Sequence, residues 1–322
     1  MTMSPRDYVL ISPCRNEAAY MRRTLDSVLA QSLRPARWIV VDDGSTDETP
    51  AILAEYAARH PCLRIVKKPD RGHRAVGPGV VEAFYAGHAA LEAPYPYLCK
   101  LDLDLDLPHR YFETLIDRME AEPRLGTCSG KPYMRLPSGR LVSEKCGDEM
   151  SVGMTKFYRR ECFEQIGGFV RGVMWDAIDC HKARQLGWMA QSWDEEALRF
   201  EHLRPMGSSQ ANIHVGRRRH GAGQWFMGSD PLYYFATCIF RMTHPPYVTG
   251  GLSMAWGFVE AWVKSAPQHD DPSLRAFIRR YQRRALMVGK HRAIAEIDAT
   301  GAARWRARPG ITPGALGAEA VA

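Results

Sequence analysis

The sequence predicts an α/β protein built on a mostly parallel central sheet with helices on both faces. Two observations carry this. In the first half, short β-rich runs alternate with stretches of helical periodicity. The chain also has 322 residues, 45% of them hydrophobic, enough for a large core. Tyr8 to Ser12 reads as a strand, and Asn16 is placed to cap a helix with Leu25, Val28 and Leu29 on one face. Trp38 to Val41 is a second apolar run, and the acidic turn after it leads to a helix bearing Ile52, Leu53 and Tyr56. Leu63 to Val66, a helix around Val80 to Leu91, and Tyr97 to Leu101 continue the rhythm. Strand, helix, strand in this order implies right-handed crossovers. Ligands of such sheets bind beyond the carboxyl ends of the strands.

Ordinary globular composition, with 25% charged and 10% aromatic residues, excludes whole-chain disorder, collagen and long coiled coil. Forty-three Lys and Arg against 36 Asp and Glu leave a net charge of +7, which favours anionic partners such as a nucleotide, nucleic acid or an anionic membrane face. The eight cysteines contain no C-x-x-C pair, so neither a zinc ribbon nor a redox dithiol is written here. The start of the sequence lacks a secretory signal pattern, and the expected location is the cytoplasmic side. Two familiar phosphate loops fail. The turn after the first strand is Pro13-Cys14-Arg15-Asn16-Glu17 rather than G-x-G-x-x-G, and the run from Gly126 to Pro132 is one residue short of a P-loop.

From about Gly207 the character changes. Arg217-Arg218-Arg219-His220 precedes the apolar stretches Leu232 to Met242 and Tyr247 to Val263, each short of the ~20 apolar residues that span a bilayer. Asp271-Pro272 opens a helix with Leu274, Phe277, Ile278, Tyr281 and Ala285 on one side and Arg275, Arg279, Arg280, Arg283 and Arg284 around the rest. Such a helix suits either an anionic membrane surface or a cap packed on the α/β domain. The division read from the chain is residues 1–206 as the α/β domain, 207–295 as a helical, amphipathic region, and 296–322 as a loose tail.

Three acidic clusters carry the chemistry. Asp42-Asp43-Gly44-Ser45-Thr46-Asp47 follows the second strand, where carboxylates can meet ribose hydroxyls or a base N–H; the same residues also suit a plain turn. Lys100 to Leu107 alternates with period two, so an extended chain puts Asp102, Asp104 and Asp106 on one face. Carboxylates ~4 Å apart at a dielectric of ~20 repel by about 4 kcal/mol, which Mg²⁺ or Mn²⁺ would relieve. The alternative is a wet strand face, with Lys100 in phase. Asp176, in Trp175-Asp176-Ala177-Ile178-Asp179, reads as a helix N-cap or as a general base; spacing alone favours the cap.

Taken together, the motifs resemble the family 2 inverting glycosyltransferases of the GT-A fold. Pro13 with Arg15-Asn16-Glu17-Ala18 is similar to that family's first nucleotide loop, and Val40 to Thr49 to its nucleoside signature. Asp102-Leu103-Asp104 falls at its D-x-D, and Gly167-Gly168-Phe169 with Trp175-Asp176 is similar to its loop and acidic motif, with Trp where Glu is often found. The resemblance covers about residues 8–205. It implies that residues 1–206 are a GT-A nucleotide-sugar-binding and catalytic domain, followed by a helical region that either meets a membrane or packs on that domain. It also implies that Pro13, Arg15, Glu17, Asp42, Asp43 and Arg74 hold the nucleotide, with Asp42 and Asp43 on uracil and ribose. By the same resemblance Asp102 lies near the ribose, Asp104 holds Mg²⁺ or Mn²⁺ on the diphosphate, and Asp176 deprotonates the acceptor hydroxyl, with inversion as the outcome.

The Q-x-x-R-W motif and the spanning helices of the processive synthases are absent from this reading, and Gln224-Trp225 is only a fragment, so a single-addition enzyme is expected. His202-Leu203-Arg204-Pro205 and Arg217 to Arg219 would reach the diphosphate or an acceptor phosphate, or form a solvated basic face. The expected partners are a nucleotide-sugar donor and a saccharide or lipid-linked saccharide acceptor of surface-polysaccharide synthesis, at the inner face of the cell membrane. Two rivals come from other classes: a non-catalytic nucleotide-sugar or lipid-binding module on the same fold, and a nucleic-acid binder. No basic-aromatic recognition motif supports the second, and nucleic acid is not an expected partner.

Overall fold

A computed structural model describes residues 4–72, 77–92, 94–204 and 212–306. Strand β1 (Tyr8–Cys14) leads to α1 (Met21–Leu29), β2 (Arg37–Asp42), α2 (Thr49–Arg59), β3 (Leu63–Lys67), α3 (Pro78–Ala89) and β4 (Tyr97–Leu101). After the short β5 (Leu105–Asp106) come α4 (Tyr111–Ala121), β6 (Leu125–Ser129), β7 (Lys131–Arg135), β8 (Leu141–Ser143) and β9 (Thr155–Arg159). Then follow α5 (Arg160–Gln165), α6 (Trp175–Gln185), β10 (Met189–Ser192) and β11 (Arg199–His202). Five helices close the chain: α7 (Ile213–Met227), α8 (Pro231–Met242), α9 (Thr249–Val263), α10 (Pro272–Val288) and α11 (Lys290–Arg306).

The main sheet has seven strands in the order β10-β6-β9-β4-β1-β2-β3. All run parallel except β9, which is antiparallel to both β4 and β6. Period-two alternation sends side chains into two cores. Tyr8, Leu10, Trp38 and Val40 pack with α1, α2 and α4 on one face, while Val9, Ile11, Ile39 and Val41 pack with α3, α5 and α6 on the other. Strand order reverses between β1 and β4, so the switch point lies where the ends of β1, β2 and β4 open together. A second sheet, β5-β11-β7-β8, stands beside that rim.

Several local expectations change. Asn16 adopts φ 55° in the loop before α1 and does not cap it; Tyr20 stands at the N-cap without a side-chain bond. Lys100 to Asp106 is not one extended strand, because β4 ends at Leu101 and the chain turns into the second sheet at Leu105. Met174, with φ 61°, is the N-cap of α6, which puts Asp176 inside the first turn. The expected loose tail is helical as far as Arg306, and the Trp305 ring meets Trp188 edge-on at 4.2 Å. Asp271 does cap α10, accepting from the Leu274 amide. Leu274, Ile278, Tyr281 and Ala285 of α10 are buried. Arg279 donates to the Gly228 carbonyl, and Arg283 and Arg284 pair with Asp230 and Glu296. The apolar face of α10 is therefore covered by the protein itself and is not open to a membrane. Among the described residues no helix is long and apolar enough to cross a membrane.

Candidate active site

The rim begins at the end of β1. Asp43 is tied there by its own amide, which donates to the Cys14 carbonyl, and by Arg15, whose guanidinium reaches the Asp43 carbonyl (2.5 Å) and Asp70 (2.5 Å). Gly44 then turns with φ 74°, and a Cβ there would lie 2.4 Å from the Asp70 Cα, so only glycine fits this approach. Asp42 accepts the Ser45 amide (2.9 Å), closing the turn; for this carboxylate the plain turn accounts for its bond. The buried Asp43 carboxylate takes Lys68 (2.9 Å) and Arg71 (2.7 Å). Pro13 sits in register with Val41 at the same strand end, and the Glu17 amide donates to Thr49 Oγ1 (2.9 Å). Arg74 and Pro205 lie outside the described residues.

Asp102 and Asp104 flank the turn out of β4. Lys100 Nζ bridges Asp102 Oδ1 and the Gly153 carbonyl (2.9 Å). Burial raises the Asp102 carboxyl above its ordinary range; Lys100 opposes this and Asp104 adds to it. Asp104 is buried, at 4% exposure, and its Oδ2 receives Arg204 (2.7 Å) with His202 Nε2 at 3.6 Å. Burial works against the ionised form, but His202 and Arg204 outweigh it and lower the Asp104 pKa. His202 in turn meets Glu144 (2.8 Å); burial is overcome by its two carboxylate neighbours, which hold its pKa up at about 9. Arg204 also reaches Glu17 Oε1 (3.2 Å), so one guanidinium links the first loop to Asp104. Asp106 faces away, paired with Arg23 (2.5 Å).

Asp176 is brought to Asp102 through Gly153. The carbonyl of Gly153 holds Lys100, while a Cβ at Gly153 would stand 2.7 Å from Asp176 Oδ2. The ammonium groups of Lys100 (5.4 Å) and Lys156 (5.8 Å) both stand over the Trp175 ring. Lys156 is fully buried and donates to the Asp176 backbone carbonyl (2.6 Å) and to Asp179, which also accepts from Tyr158. Burial raises the pKa of the half-buried Asp176 carboxyl against the pull of Lys156. Lys68, Glu144 and Lys156 carry no local motif; they reach the rim through tertiary contacts alone.

Among the described residues no three His, Cys, Asp or Glu side chains are grouped to hold a metal by themselves. One feature nevertheless fits a cation: Asp104 Oδ1 is buried without a hydrogen-bond partner, a hard oxygen available for a ligand that also brings its own oxygens.

A mostly parallel sheet with carboxylates gathered at its switch point is an α/β architecture that takes its ligand beyond the carboxyl ends of the strands. Residues 9–172 match the family described as Glycosyl transferase family 2, and the chain belongs to it. The match ends before Asp176. A poly-beta-1,6-N-acetyl-D-glucosamine synthase of Staphylococcus epidermidis is 28% identical over 129 residues, 40% of this chain and 29% of that protein. An uncharacterised protein of Mycobacterium tuberculosis is 38% identical over 85 residues, 26% of this chain and 25% of its own. The chain thus spans less than a third of these curated relatives. Among solved structures, S. aureus TarS 1-349 in complex with UDP-GlcNAc shares the fold at TM-score 0.51 and 16% identity, covering 96% of this chain and 95% of that one. GalNAc-T7 with UDP, GalNAc and Mn²⁺ does so at TM-score 0.53 and 14% identity, covering 81% and 55%.

Proposed function

We propose that the protein transfers one sugar from a nucleotide-sugar donor, a UDP-sugar, to a saccharide acceptor hydroxyl with inversion at the anomeric carbon. The observation that carries this is the shared wall of the site: Gly153 alone separates Asp176 from the Lys100–Asp102 pair, which supports reading Asp176 as a proton acceptor near the donor's diphosphate. Asp43 and the Arg15 loop hold the nucleoside, and Asp102 faces the ribose. Asp104, with His202 beside it, would hold Mg²⁺ or Mn²⁺. That ion supplies charge neutralisation for the departing diphosphate. Asp176 takes the proton of the acceptor hydroxyl as its oxygen forms the new bond, and the nucleoside diphosphate leaves from the opposite face. Its raised pKa suits a base working near neutral pH.

The GT-A likeness to nucleotide-sugar-bound structures and the partial match to a polysaccharide synthase support this reading. The expected setting is surface-polysaccharide assembly at the inner face of the cell membrane. A screen of nucleotide sugars for nucleotide release, with and without Mn²⁺, tests the reading. Metal-dependent release with one donor is expected. Donor binding without release, for every donor and acceptor mixture tried, would leave a binding module and refute the transferase.

A further inference from the structure

The two carboxylate oxygens of Asp104 differ. The side chain is buried; Oδ1 has no hydrogen-bond partner, while Oδ2 takes the Arg204 guanidinium at 2.7 Å. The backbone fixes this meeting: β11 pairs with β5 as far as His202 and Leu105, and the Leu203 amide donates to the Asp104 carbonyl (2.8 Å). The guanidinium is held from the first loop as well. The same Nη2 reaches Glu17 Oε1 (3.2 Å), and the group stands 5.6 Å from the centre of the Tyr20 ring. Both carboxylates therefore draw on one nitrogen. Among the described residues Nη1 and Nε of Arg204 donate to no partner, although the side chain is only 19% exposed.

A guanidinium does not shed its proton, so a divalent cation received on Oδ1 has to share the Asp104 carboxylate with a permanent positive charge. In a buried site two such cations repel strongly. The repulsion falls when an anion with several oxygens joins them. A diphosphate meets that need, because its oxygens suit a hard divalent ion and also match the N–H fork that Arg204 leaves partly unused. We propose that Arg204 makes the divalent cation and the donor's diphosphate bind as a pair, opposing the ion on its own and bonding the diphosphate when both are present. The inference rests on the reading of the rim as a nucleotide-sugar site, and on neither Asp176 nor turnover. Lysine at this position would keep the charge and lose the fork, which separates the two roles.

The test is calorimetric titration of the full chain with Mn²⁺ alone, and with UDP in the presence and absence of Mn²⁺, for the wild type, Arg204→Gln and Arg204→Lys. Arg204→Gln is expected to bind Mn²⁺ alone about tenfold or more tighter than the wild type, and UDP with Mn²⁺ about tenfold or more weaker. The opposite signs are the signature, because a merely structural loss around Asp104 would weaken both. Arg204→Lys is expected to keep Mn²⁺ binding near the wild-type value and to weaken UDP. Mn²⁺ binding that is unchanged or weaker in Arg204→Gln would overturn the inference, as would UDP affinity that holds there in the presence of Mn²⁺. Where Arg204→Gln fails to fold, Arg204→Met serves with the same expectations. UDP binding by the wild type without these shifts would overturn the inference alone. A wild type that binds no UDP, with or without Mn²⁺, would refute the nucleotide-sugar site and the inference with it.

Discussion

Replacing Asp176 by Asn removes one charge and one proton acceptor while leaving shape and backbone in place. Lys156 still donates to the residue 176 carbonyl (2.6 Å) and to Asp179, and the Gly153 wall still supports the side chain. General-base contributions of about 10²–10⁴ translate into about 2.7–5.4 kcal/mol of transition-state stabilisation, so kcat should fall by that factor. Stability should move the other way. The Asp176 pKa is raised in the folded protein, so its favourable contribution exists below the unfolded value and is lost as pH rises through the folded one. At pH 7 the ionised group is a net cost, and Asp176→Asn should melt at the same temperature as wild type or higher. The assays are nucleotide release, UDP titration and thermal melting in one buffer. The acid limb of kcat/KM in the wild type should lie above the usual carboxylate range. A variant retaining kcat within about threefold, or losing UDP affinity along with turnover, would refute the assignment of Asp176 as base.

Asp104→Ala should abolish the gain in UDP affinity that Mn²⁺ gives the wild type, an effect EDTA should reproduce; calorimetry with and without Mn²⁺ reads both. Lys156→Met leaves the buried Asp179 carboxylate without its cation and should cost about 3–5 kcal/mol in urea unfolding, part of it recovered in Lys156→Met/Asp179→Leu. Trp305→Ala should cost about 3 kcal/mol by the same measurement, because the ring is buried against Trp188; a loose tail would give a change near zero.

The sheet was legible because its strands write their period into the sequence. Tyr8 and Leu10 against Val9 and Ile11 already separate the two cores, and the end of β4 at Leu101 fell where the apolar run stopped. Inside the acidic motifs legibility failed, since a short motif does not say which carboxylate closes the turn and which faces the cleft. Asp42 proved to hold the Ser45 amide while Asp43 took two cations from the loop after β3. The alternation from Lys100 to Asp106 suggested one strand, yet the chain changes sheets within it, because Leu105 finds its partner on β11. The arginine-lined helix α10 shows the same limit. Its amphipathic face was plain, but what covers that face is a tertiary fact, supplied by α6, α7 and α11.

The carboxylates of the rim differ in what is bonded to them, and this sets apart Asp176, the group proposed to take a proton. Asp43 is held by Lys68 and Arg71, Asp102 by Lys100, and Asp104 by Arg204 with His202 beside it. Each has a cation at bonding distance that anchors it; for Asp104 the neighbouring cations outweigh burial and lower its pKa, whereas burial still raises Asp102. Asp176 differs. Its nearest ammonium, Lys156, spends its bonds on the Asp176 backbone carbonyl and on Asp179, and no side-chain donor among the described residues is bonded to the Asp176 carboxylate. Lys156 therefore lowers the pKa of Asp176 only through space, and burial keeps the net shift upward. If that ammonium were bonded to the carboxylate itself, Asp176 would join the anchors, and the site would hold a donor with nothing placed to deprotonate the acceptor.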